Sequence, residues 1–149
     1  MPAGAITLAD ITSADWSLAL DQPGEPGSGI GNVVQGIADV NQCIRIILTT
    51  PKGSDPLRPT FGADLWRYLD APMNSVIPAI VTEVASAITL WEPRVKVISA
   101  IAAPVFDASA QSGARLSLNV TWQLRLTRAG ANQSLTGAAQ KTMIVLPAP

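Results

Sequence analysis

The sequence predicts an α+β domain in which two main helices pack on a small antiparallel sheet. Two segments, near residues 33–47 and 77–91, carry apolar residues at helical spacing, whereas residues 115–126 alternate apolar and polar side chains without a fault. The first pattern is typical of a helix with one buried face, and the second of a strand with one buried face. A chain of 149 residues has the size of one domain.

The predicted elements begin with a short strand and a loop. Residues 15–20, "DWSLAL", alternate enough for a strand, and residues 21–32 are rich in glycine and proline, as loops are. Asn32 can cap helix one, because Gln35 stands at the capping-box spacing. The apolar stripe of this helix consists of Val33, Ile37, Val40, Ile44 and Ile47.

A rigid connection leads to helix two. Residues 49–61, "TTPKGSDPLRPTF", hold three prolines and one glycine, and a short helical stretch is predicted at 62–70. Helix two begins near residues 74–75 and continues to about Trp91. It ends there because Pro93 cannot continue a helix and forces the preceding residue into an extended conformation.

The rest of the chain is predicted to be β-structure. Residues 94–101 alternate moderately, residues 115–126 form a long strand, and residues 141–146 form a final strand after a turn at 128–133. The buried face of the long strand is predicted to consist of Leu116, Leu118, Val120, Trp122, Leu124 and Leu126.

Composition narrows the classes of function. Charged residues make up 14% of the chain and the net charge is −1, whereas globular proteins average about 25% charged residues. This balance argues against a nucleic-acid partner, and no apolar run reaches the ~18 residues of a transmembrane helix. Without the features of a signal peptide, we expect a protein made in the cytoplasm. The low charge favours a subunit whose surface is largely interface.

The residues give little support for catalysis. The sequence has no histidine, which removes the Ser-His-Asp and Cys-His arrangements and the usual Cys/His zinc sites. "GSGIGN" at 27–32 departs from the dinucleotide pattern G-x-G-x-x-G. Glu83 and Glu92 lie about 180° apart on helix two. A catalytic pair from different segments stays open, but we predict no catalytic residue, cofactor or metal site.

"WEPRV" at 91–95 poses a separate question. Pro93 alone explains why the helix ends, but it does not explain why Glu92 and Arg94 stand on either side of it in so charge-poor a chain. They can form an exposed local pair, which contributes about 0–1 kcal/mol. Alternatively, the rigid proline preorganises a carboxylate and a planar guanidinium for a partner's groove.

Three segments follow one another along the chain: "IRIILTTPKG" at 44–53, "PTFG" at 59–62 and "EPR" at 92–94. In this order they resemble the GPW/TssE-like baseplate wedge family of contractile phage tails and type VI secretion systems. The sequence departs at Asp55, where a basic residue is expected in many relatives, so a contact made there should differ. The resemblance implies a single wedge domain at 32–149, and its match leaves out the N-terminal strand and loop, residues 1–31.

The resemblance implies that the protein has a structural role and is present in six copies in each assembly. Family members dock on a helical core bundle of larger wedge proteins, and their sheet resembles the strand-exchange domain of the tail sheath protein, to which it offers a strand-pairing template. This places the protein in the virion, at the tail baseplate, after assembly in the host cytoplasm. The partner-binding residues carried over are Lys52, Gly53, Phe61, Gly62, Glu92, Pro93 and Arg94.

Two other functions are weighed against this one. Some relatives have carried a lysozyme label, so a peptidoglycan-degrading tail enzyme is the alternative. A free-standing α+β module for a small ligand is a third hypothesis. The sequence does not distinguish a phage from a phage-derived bacteriocin or a secretion system.

Overall fold

The computed structural model describes residues 15–20, 32–68, 71–105, 115–126 and 134–146. These residues form two helices and two small antiparallel sheets, so the predicted α+β class is confirmed. The chain divides into two compact units, Met1–Cys43 and Ile44–Pro149. Most of the predicted loop at 21–32 and the predicted turn at 128–133 lie outside the described residues. Neither described helix has the length and hydropathy needed to cross a bilayer.

In the first unit, the strand predicted at 15–20 is confirmed as β1 (Trp16–Leu18), which pairs antiparallel with β2 (Val33–Gln35). β2 occupies the residues predicted as the first turn of helix one, so the predicted cap at Asn32 is wrong. Helix α1 begins later and covers Ile37–Thr49. Gly36 separates the two elements with a φ of 58°, a conformation that does not belong to a right-handed helix and that glycine adopts without steric cost.

A buried glutamine fixes β1 against the start of α1. Gln42 Nε2 donates to the carbonyl of Leu18 at 2.7 Å and to the hydroxyl of Ser17 at 2.9 Å. Its Oε1 accepts the backbone N–H of Leu20 at 2.9 Å. Both ends of the amide are therefore satisfied, as a buried polar group requires.

The second unit combines α2 (Met73–Trp91) with a three-stranded sheet, and α2 packs against β3 (Val95–Val105). The sheet is antiparallel, and β4 (Arg115–Leu126) lies between β3 and β5 (Ser134–Leu146). Helix two agrees with its prediction to within two residues, and β4 agrees at both ends.

The helical stretch predicted at 62–70 is confirmed only in part, because within the described residues of that range a 3₁₀ helix covers just Trp66–Tyr68. The backbone just before it forms hydrogen bonds with other parts of the chain. The N–H of Ala63 donates to the carbonyl of Thr50 at 3.0 Å, and the N–H of Asp64 donates to the Glu83 carboxylate at 3.1 Å.

The core of the second unit lies on the face of the sheet that α2 covers. Its largest member is Trp122, whose Nε1–H donates to Thr142 Oγ1 on β5 at 2.8 Å. The other buried apolar side chains of α2 and the sheet are Ile80, Val84, Ala87, Ile88, Val95, Ala102, Leu116, Leu118, Val120 and Ile144. Burial of each large aliphatic side chain contributes about 1.5–3 kcal/mol. This packing fixes the end of α2 and the turn that follows it.

Candidate functional site

The Glu92–Arg94 turn is closed by its own two charges. Glu92 Oε1 accepts Arg94 Nε–H at 2.7 Å and Oε2 accepts Arg94 Nη2–H at 2.6 Å. The backbone N–H of Arg94 adds a longer bond to Oε1 at 3.3 Å. The side chain of Glu92 is only 4% exposed and that of Arg94 is 31% exposed. The buried carboxylate of Glu92 thus accepts a bidentate pair of hydrogen bonds from the guanidinium of Arg94 in the same chain.

Backbone bonds hold this turn on both sides. The N–H of Glu92 donates to Ile88 at 2.8 Å, which completes the last turn of α2. The N–H of Val95 donates back to the carbonyl of Glu92 at 3.3 Å. The carbonyl of Arg94 accepts the N–H of Arg125 at 2.7 Å, which ties the turn to β4. Both charged side chains therefore start from a fixed backbone.

The loop at 51–62 is rigid although it contains no helix or strand. Asp55 caps it: its Oδ1 accepts the N–H of Leu57 at 2.9 Å and its Oδ2 accepts Arg58 Nε–H at 3.0 Å. The N–H of Leu57, followed by the Arg58 guanidinium, lowers the pKa of Asp55. The N–H of Gly53 donates to the carbonyl of Pro59 at 2.9 Å and closes the base of the loop. Leu57, at the tip, is 91% exposed.

Gly62 ends this loop at a point where only glycine fits. Its φ is 98°, and an added Cβ would lie 2.1 Å from the backbone oxygen of Thr50. That same oxygen accepts the N–H of Ala63 at 3.0 Å. The close approach of the two backbones requires the missing side chain.

An aromatic contact joins the loop to the turn. The Phe61 ring meets the Trp91 ring edge to face, with centroids 5.1 Å apart and planes at 74°. Trp91 Nε1–H donates to the carbonyl of Thr60 at 3.2 Å, and the guanidinium of Arg58 lies 4.6 Å from the centre of the Phe61 ring. Because Trp91 directly precedes Glu92, the loop and the turn form one surface. We call residues 51–62 and 91–94 the loop–turn surface.

A salt bridge attaches the start of the loop to the middle of α2. Lys52 Nζ bonds to Glu83 Oε1, which also accepts the N–H of Asp64. Burial raises the pKa of Glu83, but the bonds from Lys52 and Asp64 outweigh it, and the pKa lies below its ordinary value. The described residues contain no group of three or more acidic or cysteine side chains that could hold a metal ion.

The structure brings together most of the residues named from the sequence. Lys52, Gly53, Phe61 and Gly62 lie in one loop, and Phe61 connects that loop to the Glu92–Arg94 turn through Trp91. Sequence reasoning missed Leu57, Arg58 and Trp91 as members of this surface. The three prolines of the loop predict that it is rigid. The contact between Trp91 and Phe61 joins residues about thirty positions apart, and no pattern in the neighbouring sequence predicts it.

Comparisons with known proteins agree with this architecture. A family model described as baseplate wedge protein gp25 matches residues 34–129. Among curated proteins there is no significant match.

Three solved structures are similar to the chain. One is a proposed tail lysozyme from Geobacter sulfurreducens, with 28% identity over 72% of this chain and 88% of that chain and a TM-score of 0.52. Another is a chain of the anti-feeding prophage baseplate, with 21% identity over 67% of this chain and 77% of that chain and a TM-score of 0.54. A chain of the postcontracted R2 pyocin baseplate has 28% identity over 72% of this chain and 98% of that chain, with a TM-score of 0.49.

The class of protein follows from the family match. Because the family model covers more than half of the sequence, the chain belongs to the gp25 family of baseplate wedge proteins. That family forms part of the baseplate of contractile tails, where its members assemble with other baseplate proteins.

Proposed function

We propose that the chain joins a baseplate wedge by docking its loop–turn surface on the helical core bundle of the wedge proteins, and that its sheet gives the first sheath ring a strand-pairing template. Six copies assemble in each baseplate, in the cytoplasm of the host. The packing of Phe61 on Trp91 carries this proposal, because it makes the loop and the turn one preformed surface.

The loop is preorganised to present an anchor. The Asp55 cap and the bond between Gly53 and Pro59 fix the backbone on both sides of Leu57. Binding then costs little conformational entropy, since the loop is ordered beforehand. The rigid loop exposes the apolar side chain of Leu57 to water. Such a side chain can bind in a groove between the side chains of packed helices. We therefore assign Leu57 to a groove of the core bundle.

Glu92 and Arg94 have different parts in docking. The carboxylate of Glu92 is buried, and it orients the guanidinium of Arg94. Arg94 is the more exposed of the two, and guanidinium suits partner carboxylates and backbone carbonyls. We assign the partner contact to Arg94 and its orientation to Glu92. Pro93 is exposed beside them.

Co-purification with the wedge proteins of the same particle tests the docking role. Removing one charge alone would leave the other unpaired, so the test uses Glu92→Gln/Arg94→Ala together. We expect recovery of the wedge proteins to fall by about tenfold or more, the loss typical of an interface hot spot. Urea unfolding checks that the variant is folded.

The matched control is Asp64→Asn/Arg67→Ala, which removes an exposed ion pair outside the loop–turn surface. It should leave recovery of the wedge proteins unchanged. Equal recovery with both double variants, while both are folded, would refute docking through the turn.

A peptidoglycan-degrading activity is the second candidate, because one similar structure is a proposed tail lysozyme. A glycosidase needs a carboxyl group whose pKa is raised so that it can donate a proton. The hydrogen bonds that Glu83 accepts from Lys52 and from the N–H of Asp64 lower its pKa instead. We expect no turnover in a muramidase assay on the purified chain. Turnover that Glu83→Gln abolishes would replace the structural proposal with the enzymatic one.

A further inference from the structure

The three-stranded sheet has two faces, and α2 packs on one of them. The even-numbered residues of β4 from Leu116 to Trp122 are buried, so they belong to the face that α2 covers. Successive side chains of a strand point to opposite faces. The odd-numbered residues of β4 therefore point to the other side of the sheet, which we call the outer face.

The register shows which side chains of the neighbouring strands share the outer face. Residues that lie directly opposite each other in an antiparallel pair point to the same face. Asn119 of β4 lies opposite Ile101 of β3 and Met143 of β5. In the next row, Ser117 lies opposite Val145. These side chains therefore point away from α2.

One end of the outer face carries exposed apolar side chains. Ile101 is 60% exposed, Met143 is 56% exposed and Val145 is 45% exposed. They lie in two adjacent rows of the sheet, on either side of β4. Large apolar side chains that are exposed together mark a surface that binds another molecule.

The other end of the outer face is positively charged. Lys96 lies opposite Gln123, Lys141 lies opposite Thr121, and Arg125 is the next residue of β4 on this face. Both lysines are exposed and Arg125 is half-buried. The three strands contain no aspartate or glutamate, although the chain has eleven acidic residues against ten basic ones. No acidic side chain of the sheet therefore offsets these cations.

This charge distribution favours an acidic protein segment over other occupants. Two copies that met through their outer faces would bring like charges together, which disfavours their association. Anionic membranes recruit clusters of about four to eight lysines and arginines, more than the three side chains described above. Single-stranded nucleic acids stack on aromatic side chains, and the described strands carry no aromatic residue on this face.

The shape of the outer face suits a helix. Helices are the elements that most often cover the open face of a sheet on which another helix already packs. The distance along β4 from Ser117 to Arg125 is about 27 Å, and a helix of about 18 residues has this length. Such a helix meets both ends of the face at once if it lies along the strands.

We propose that the outer face binds an acidic amphipathic helix of another protein. The apolar stripe of that helix covers Ile101, Met143 and Val145, and its carboxylates pair with Lys96, Lys141 and Arg125. The outer face is separate from the loop–turn surface and from the edges of the sheet. The inference therefore does not rest on the proposed function.

Two synthetic peptides of about 18 residues test the charge preference, each held helical by a covalent link between side chains. Both carry the same leucine stripe, and one half of the helix has glutamates in the first peptide and lysines in the second. We expect the purified chain to bind the acidic peptide about tenfold or more tightly than the basic one. Fluorescence anisotropy measures both affinities.

Charge reversal on the chain assigns this preference to the outer face. Lys141→Glu should lower the affinity for the acidic peptide by about tenfold and raise the affinity for the basic peptide. Arg67→Glu is the matched control, because it changes the net charge equally at an exposed side chain outside the outer face. It should leave both affinities unchanged. Thermal unfolding checks that each variant is folded.

The apolar part of the surface has its own variant. Met143→Ser removes an exposed side chain, so the fold should keep its stability. The affinity for the acidic peptide should fall by about fivefold. Met73, which begins α2, is not on the sheet, so Met73→Ser should leave the affinity unchanged.

Several results would overturn the proposal. They are failure of the acidic peptide to bind, equal affinity for the two peptides, and unchanged binding by a folded Lys141→Glu variant. Phosphatidylglycerol vesicles and single-stranded DNA serve as the other probes. Binding of either one that Lys141→Glu abolishes would assign the outer face to a membrane or to a nucleic acid instead.

Discussion

The loop–turn surface and the outer edge of β5 lie in the same unit but are built by different means. The loop–turn surface has no regular ladder, and its shape comes from a carboxylate cap, an aromatic contact and two ion pairs with particular partners. The edge of β5 belongs to a strand whose pairing with β4 is regular from position 140 to position 146, beyond a register shift between Thr136 and Gln140. One region depends on which side chains are present, whereas the other depends mainly on the backbone.

This difference predicts opposite sensitivities to mutation. At the loop–turn surface, replacing a single side chain removes a contact that nothing else supplies. At the β5 edge, most side chains can change as long as the peptide groups keep their direction. Four sets of variants test this contrast, beginning with the largest expected effect.

Gly62→Ala should cause the largest loss. The added Cβ would lie 2.1 Å from the backbone of Thr50, at a φ of 98°, so the loop must move. We expect the free energy of unfolding to fall by about 3–5 kcal/mol in urea titrations. Gly53→Ala is the control, since its φ of 84° is also positive but an added Cβ meets nothing within 4 Å. It should cost only about 1 kcal/mol, and equal losses would contradict the close approach at Thr50.

Leu57→Ala should affect binding without affecting the fold. The side chain is almost fully exposed, so the free energy of unfolding should change by less than about 0.5 kcal/mol. Affinity for the wedge proteins should fall by about thirtyfold, which corresponds to a hot spot of about 2 kcal/mol. Titration calorimetry measures this change. Affinity for the sheath protein should stay the same, and a parallel loss there would show that the two regions are not separate.

The same substitution at two tryptophans compares the loop–turn surface with the buried core of the sheet. Trp122→Phe removes the N–H that reaches Thr142 in the core, and we expect a loss of about 1–2 kcal/mol of unfolding free energy. Trp91→Phe removes the N–H that reaches Thr60 at the surface, where water can replace it, so the loss should be about 0.5 kcal/mol. A larger loss at Trp91 would contradict the difference in burial.

Among the leading variants of the four sets, Glu83→Gln should have the smallest effect, and that effect should depend on pH. The folded-state pKa of Glu83 lies below its ordinary value, so its charged form stabilises the fold at pH values above the unfolded pKa of about 4.3. We expect a loss of about 1 kcal/mol at pH 7, which should shrink as the pH falls below 4.3 and through the folded pKa. Urea unfolding at pH 7 and pH 3 measures both values.

Asp64→Asn is the control for that experiment. It removes an exposed ion pair with Arg67 but keeps the backbone N–H that Glu83 accepts. It should cost less than about 0.5 kcal/mol at pH 7. A Glu83→Gln loss that is the same at both pH values would contradict the role of the charged carboxylate.

Sequence patterns predicted the elements that depend on local periodicity. β4 alternates over its whole length, and both of its ends were predicted correctly. The start of α1 was not, because Asn32 and Gln35 have the spacing of a helix cap while their segment pairs with β1 about seventeen residues earlier. Tertiary pairing overrode a local signal there.

The residues of the loop–turn surface were predicted only in part. The family resemblance pointed to Phe61 and to the Glu92–Arg94 turn. It did not indicate that Trp91 joins them or that Glu92 is buried, because these properties depend on how the loop packs along α2. The partner-binding role of these residues stays a prediction until the wedge proteins are tested.

β3 contains Pro104, which has no N–H to donate, and its register with β4 shifts between Val97 and Ser99. These two features have a consequence for the protein before assembly. A sheet that is open at two edges can stack copy upon copy into a fibre. With the β3 edge interrupted, a copy that pairs wrongly through β5 has no second regular edge to extend, so growth stops after one step.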